Sequence, residues 1–420
     1  MLTENDIKRI CEDLMPFHKH FELEDLLSVA RPAAKEAEEN YQKLVKPSCS
    51  LSVYQEYWVT YMILANPENK FNLTRKVGKN EEYEKAWKKY LDSVDKYFRT
   101  GLDVDQIVEL WEKIEEEVPS VSEGKLLSEF ESKFKELEPL FVQMRKAQQK
   151  MAVNLGFESQ LEVFLYDMRI SQDDYNFFLE NKDNVIKYCQ EQLSKLDLNL
   201  PTWFYSQFNP LYHHDFLSLV KDYPEISFPE GVTDFVEKSF PVIGKVRDKL
   251  VIELVEGGSS FNYLVKKDQY RMGIDRSGDN IHRVRSLFHE FGHAISELEN
   301  FENGLVTLGK GLDLAEYLAY INEFELLNKF SSTVYRARMG DFLVLMAKVL
   351  FDIEVLKNPE QDLAKLHANI FNYCFPDAKQ TKNYTYLIKY GTVYRPLGGL
   401  PQAMGMVKAL SERGNLSRLK

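Results

Sequence analysis

Apolar residues return every three or four positions along most of this chain, with charged and polar residues between them. That is the spacing of one helix face, and it predicts a mainly α-helical protein. Residues 1–45 read as two helices, with Pro32 near the start of the second. Residues 52–65, Glu81–Arg99 and Val104–Val118 continue the rhythm, followed by helices through Phe141–Leu155, Ser159–Met168 and from Ser171 to Leu196. Residues 199–233 hold Pro201, Pro210, Pro224 and Pro229 and read as loops and turns. The period changes at 249–276, where Lys249–Val255, Phe261–Val265 and Gln269–Ile274 alternate or run apolar and predict two or three short strands. Helical spacing then resumes over 284–298 and 312–328.

A chain of 420 residues is long enough for two or three domains at about 150 residues each. We divide it into an N-terminal helical lobe, 1–140, and a catalytic helical region, 141–420, which carries the small sheet, two site helices and a tyrosine segment at 384–394. The 53 Lys and Arg against 65 Asp and Glu give a net charge of −12. Without a basic cluster, nucleic acid is not an expected partner, because phosphate binding needs concentrated Lys and Arg. No apolar run approaches the roughly 20 residues of a membrane span. The first ten residues are charged and lack an apolar core, so no signal peptide is expected and a cytoplasmic location is, with signal-independent export left open. Cys11, Cys49, Cys189 and Cys374 lie far apart, as reduced, packed thiols do.

Chemistry concentrates at Leu287-Phe-His-Glu-Phe-Gly-His-Ala-Ile-Ser-Glu297. On a helix, His289 and His293 project from one face a turn apart, so both can reach a single tetrahedral ion. Glu290 is turned about 100° round the axis and can face a water without being a ligand. Catalytic zinc needs three protein ligands, one open position and a carboxylate to take a proton. An H-E-x-x-H-x-x-G-x-x-H pattern is excluded by Ser296 and Glu299. The third ligand is instead expected from the helix Leu312–Leu327: Glu316, 23 residues past His293, with Glu297 as the alternate. Asp313, one turn before Glu316, either hydrogen-bonds the second nitrogen of a ligand histidine or caps the helix. Glu323 and Glu325 read as solvent or salt-bridge residues. His282 reads as a helix-entry residue, and His213-His214 as part of a polar loop.

The stretch Ser286-Leu-Phe-His-Glu-Phe-Gly-His-Ala-Ile295, followed by Asp313-Leu-Ala-Glu316-Tyr-Leu-Ala, resembles the thimet oligopeptidase and oligoendopeptidase F family of zinc metallopeptidases. Arg145–Val185 is similar to the helices that precede the family's catalytic core. The resemblance implies one zinc ion per chain on His289, His293 and Glu316, with Glu290 as general base. It implies two helical lobes flanking a deep channel, with a small sheet beside the zinc helix whose edge strand holds a peptide backbone. It further implies that tyrosines of the C-terminal segment stabilise the oxyanion, here Tyr386 or Tyr390. Two departures stand out: Ser296 replaces a family histidine, and no histidine follows His367.

The expected activity is zinc-dependent hydrolysis of peptide bonds within oligopeptides or flexible protein segments. One alternative is a Taq-type zinc carboxypeptidase, compare Asp268-Gln-Tyr-Arg-Met272; another is a binding protein that kept the zinc fold with little catalysis. The chain is short for the family, and a reduced N-terminal lobe would open the cleft to folded substrates.

Overall fold

A computed structural model describes residues 2–15, 22–44, 55, 59, 138–154, 157–168, 170–196, 216–256, 259–264, 269–276, 279–302, 312–382, 384–387 and 396–412. These residues carry eleven α-helices and one three-stranded sheet, so the mainly α expectation holds. The helices expected at 52–65, 81–99 and 104–118 lie outside the described residues, apart from Gln55 and Val59. Gln55 is buried and joins Leu2 N to the Ala34 carbonyl.

Helices α1 (Glu4–Leu14) and α2 (Leu23–Leu44) pack on each other. Thr3 and Asp6 form a reciprocal capping box that starts α1. Pro32 lies well inside α2, because that helix begins nine residues earlier than the proline suggested. Next come α3 (Glu138–Asn154), α4 (Gln160–Asp167) and α5 (Gln172–Leu193). The Ser171 side chain accepts from Asp174 N and sets the start of α5. The lobe boundary proposed at residue 140 falls inside α3. A short helix α6 (Glu230–Ser239) leads through a 3-10 segment, Pro241–Lys249, into the sheet.

The strands are β1 (Leu250–Val255), β2 (Ser260–Leu264) and β3 (Gln269–Asp275), in the order β1-β3-β2. Central β3 runs parallel to β1, pairing Leu250 with Tyr270, and antiparallel to β2, pairing Phe261 with Met272. Tyr270, Met272 and Ile274 of β3 are buried, the period-2 face of a half-covered strand. Beneath β2 and β3 lies α7 (Asn280–Glu302). The Asp279 side chain accepts from His282 N and meets His282 Nδ1 at 2.6 Å, so His282 is a helix-entry residue as expected.

After α7 come α8 (Leu312–Phe330), α9 (Ser332–Lys357), α10 (Leu363–Cys374) and α11 (Leu400–Glu412). Helix α8 is held between α7 and α11, while α5 packs on both α9 and α11. One continuous apolar core runs through these helices; Phe288, Phe291, Phe324, Phe342 and Met406 are fully buried in it. Cys11, Cys189 and Cys374 are free and buried. Among the described residues, no helix is long and apolar enough to cross a membrane.

Candidate active site

Helix α7 presents His289 and His293 one turn apart, with ring centroids separated by 4.9 Å and ring planes at 84°. Helix α8 brings Glu316 to them: its Oε2 lies 3.3 Å from His289 Nε2. One ligand atom from each of His289, His293 and Glu316 falls within 4.8 Å of the other two. Bonds of about 2.1 Å in a tetrahedral site put neighbouring ligand atoms about 3.4 Å apart. The spacing, and the two-imidazole, one-carboxylate chemistry, therefore fit zinc. Glu290, the next residue on α7, is buried.

Glu316 can reach α7 because the two helices touch backbone to backbone. An ideal Cβ on Gly292 would sit 2.4 Å from the Ala319 carbonyl oxygen, so residue 292 must be glycine for this crossing. Asn322 strengthens it, donating to the Gly292 carbonyl at 3.2 Å and to Ser296 Oγ at 3.0 Å, while Ser296 Oγ donates to the Leu318 carbonyl. Ser296, noted above as a departure, thus ties α7 to α8. Asn322 escaped the sequence reading altogether.

Glu323 of α8 holds His289 from the side away from Glu316. His289 Nδ1 donates to Glu323 Oε2 at 2.8 Å, and Arg338 Nε of α9 donates to Glu323 Oε1 at 2.9 Å. Glu323, read from the sequence as a solvent or salt-bridge residue, is fully buried, forms a salt bridge with Arg338 and holds the second imidazole nitrogen of His289. Glu323 sits seven residues beyond Glu316, two turns along the same face of α8, and that spacing was the available signal. Asp313 opens α8; its side chain lies outside the described residues. Glu325 matches expectation, pairing with Lys329 at the surface.

Burial and neighbouring charges divide the titrating groups sharply. Burial opposes charge on His289, but the adjacent Glu316 and Glu323 carboxylates outweigh it and push its pKa up to about 10. His293 goes the other way, down to about 4, through burial and the adjacent His289. Burial raises Glu290 to about 7. Glu316 is lowered against its burial, chiefly by His289. Arg338 and His289 likewise bring Glu323 down to about 2 despite its burial. Glu323 and Arg338 thereby form a buried ion pair beside His289.

Other candidates fall elsewhere. Tyr386 is fully buried, donates from its hydroxyl to Glu138 Oε1 at 2.7 Å, and packs against Phe141, Phe351 and His367. Phe351 lies thirteen residues beyond Arg338 on α9, about 20 Å along the axis at 1.5 Å per residue. The expectation that Tyr386 faces the oxyanion is therefore corrected: the 3-10 turn Thr385–Leu387 directs its ring into the core. Tyr390, Tyr394, His213 and His214 lie outside the described residues. Glu297, the alternate ligand, is not among the clustered residues His289, His293 and Glu316; its Oε1 is buried and without a hydrogen-bond partner among the described residues.

No protein-family model and no curated protein matches the sequence. Solved structures do. A protein assigned as oligoendopeptidase F aligns over 99% of this chain and 84% of its own at 15% identity, with a TM-score of 0.50. PZ peptidase A aligns over 100% and 89% at 13% identity and a TM-score of 0.48. A protein assigned as oligoendopeptidase F from Bacillus anthracis str. Ames aligns over 88% and 74% at 13% identity and 0.45. This chain has an oligoendopeptidase F-like fold.

Proposed function

We propose that this protein is a zinc-dependent endopeptidase acting on oligopeptides or flexible protein segments. The convergence of His289, His293 and Glu316 from two crossing helices, with buried Glu290 beside them, carries the reading. A zinc ion held there would supply Lewis acidity toward a water and the scissile carbonyl oxygen. Glu290, poised near neutrality, takes the proton from the attacking water and delivers it to the departing amide nitrogen. Glu323, anchored by Arg338, fixes His289 so that Nε2 faces the ligand position.

Substrate placement follows from the sheet. The ring of Phe261 on β2 lies parallel to His293 at 6.3 Å, so β2 runs beside the site. β2 pairs only with β3 among the described residues, which leaves an edge for an extended peptide to join by main-chain hydrogen bonds. Such binding selects extended backbone more than any one side chain. With Tyr386 committed to Glu138, Tyr390 is the remaining candidate for donating to the oxyanion.

Metal analysis joined to cleavage of a peptide library tests this. The wild type should hold one zinc and cleave. Glu290→Gln should keep the zinc and lose about 10²–10⁴-fold in turnover, whereas His293→Ala should lose both. A zinc-free wild type, or Glu290→Gln with undiminished turnover, overturns the proposal. Peptides blocked at the C-terminus separate an endopeptidase from a carboxypeptidase, and folded proteins offered beside short peptides test the open cleft.

A further inference from the structure

The face of α8 opposite α7 is as tightly constrained as the zinc-side face, and the constraint falls on Glu316 itself. An ideal Cβ on Gly405 of α11 would lie 2.6 Å from Tyr317 N, 2.8 Å from Glu316 Cβ and 2.9 Å from the Glu316 carbonyl carbon. Two of these three are backbone atoms inside a helix, and they cannot swing aside. Side-chain ties secure the same turn. Tyr317 donates from its hydroxyl to Glu412 of α11. Lys408 Nζ sits 5.2 Å from the centre of the Tyr317 ring and 3.6 Å from Asp174 Oδ1 of α5.

We infer that α11 is a backstop for the metal site, with Gly405 and Tyr317 as positioning residues that set where Glu316 presents its carboxylate. The inference rests on Glu316 being a metal ligand. A methyl group at 405 would need about 3.5 Å to the backbone it meets, so α8 would move by about 1 Å. Metal–ligand distances tolerate about 0.2 Å. Because α7 already touches α8 at Gly292, α8 could yield only by tilting or sliding, which would displace the Glu316 carboxylate from its place between His289 and His293 by more than that tolerance.

The experiment titrates zinc against a competing chelator and records the visible absorption of the cobalt-substituted protein for wild type, Gly405→Ala and Gly399→Ala. The last adds the same methyl group to the entry of α11, where it meets side chains alone: the flexible end of Leu345 at 2.5 Å and Val349 at an ordinary 3.5 Å. Gly405→Ala should bind zinc about 10–100-fold more weakly and show an altered cobalt spectrum, while folding by circular dichroism. Gly399→Ala should match wild type in both. Equal affinity and spectra for Gly405→Ala and wild type overturn the inference. Should Gly405→Ala not fold, Tyr317→Phe decides: a severalfold loss of affinity supports the backstop and wild-type affinity overturns it. A wild type that binds no zinc defeats the ligand reading instead, so the two failures are distinguishable.

Discussion

His289 and His367 are both interior histidines packed among aromatic rings, yet they sit in different electrical surroundings. His289 meets Tyr320 at 4.8 Å and lies between two carboxylates: its Nε2 is 3.3 Å from Glu316 Oε2, and its Nδ1 hydrogen-bonds Glu323. His367 packs against the rings of Phe351, Phe371 and Tyr386 at 4.7–5.5 Å. Burying several charges is costly unless each is paired and hydrogen-bonded. The α7–α8 region meets that cost with a chain of partners running from Glu316 through His289 and Glu323 to Arg338. The cluster around Tyr386 buries area instead. The same residue types thus build a candidate ligand site in one place and a helix packing joint in the other.

The sharpest way to break this contrast is at Glu323. Glu323→Ala leaves Arg338 buried without its carboxylate and frees His289 Nδ1. Stability should fall by about 3–5 kcal/mol and zinc affinity by about 10–100-fold, read by denaturant unfolding and by chelator competition. If affinity is unchanged, Glu323 does not orient the ligand.

Glu297, one turn past His293, sharpens the comparison within α7 itself. Burial alone pushes its pKa up to about 8, from an ordinary value of 4.5. Between those values the folded protein holds more protons than the unfolded chain, so stability contributed at low pH is lost as pH rises through about 8. Glu297→Gln should flatten that slope. We expect a melting temperature a few degrees above wild type near pH 9 and close to it near pH 5. Parallel melting at both values would show that Glu297 carries no such penalty.

The smallest effect is expected at Tyr386. Tyr386→Phe removes one hydrogen bond to Glu138 and should cost about 0.5–1.5 kcal/mol of stability, with peptide turnover within about twofold of wild type. Tyr390→Phe should lower turnover without that loss of stability. A turnover defect confined to Tyr386→Phe would restore the oxyanion role to residue 386.

Most of the helical architecture was legible in the chain. The change of period at 249–276 located all three strands, and the four-residue spacing of His289 and His293 fixed their shared face whatever α7 packs against. The pick of Glu316 ahead of Glu297 was also available, because a glycine-punctuated segment and a new amphipathic run placed a second helix soon after the first. Glu323 was harder. Seven residues from Glu316, it shares that residue's face, but a sequence does not say whether a glutamate meets water or an arginine fifteen residues ahead. Tyr386 failed for a related reason. A four-residue tyrosine period implies a common face only if the segment is an α-helix, and Thr385–Leu387 is a 3-10 turn.

What the sequence determined by itself was therefore local: helical period, the sheet, and which two imidazoles leave one helix on the same side. These depend on backbone geometry that repeats every few residues. Tertiary structure alone decided how closely α7, α8 and α11 approach, through Gly292 and Gly405, and which carboxylates enter the interior. Such choices depend on atoms brought together from distant parts of the chain, where a single methyl group or an unpaired charge changes the outcome.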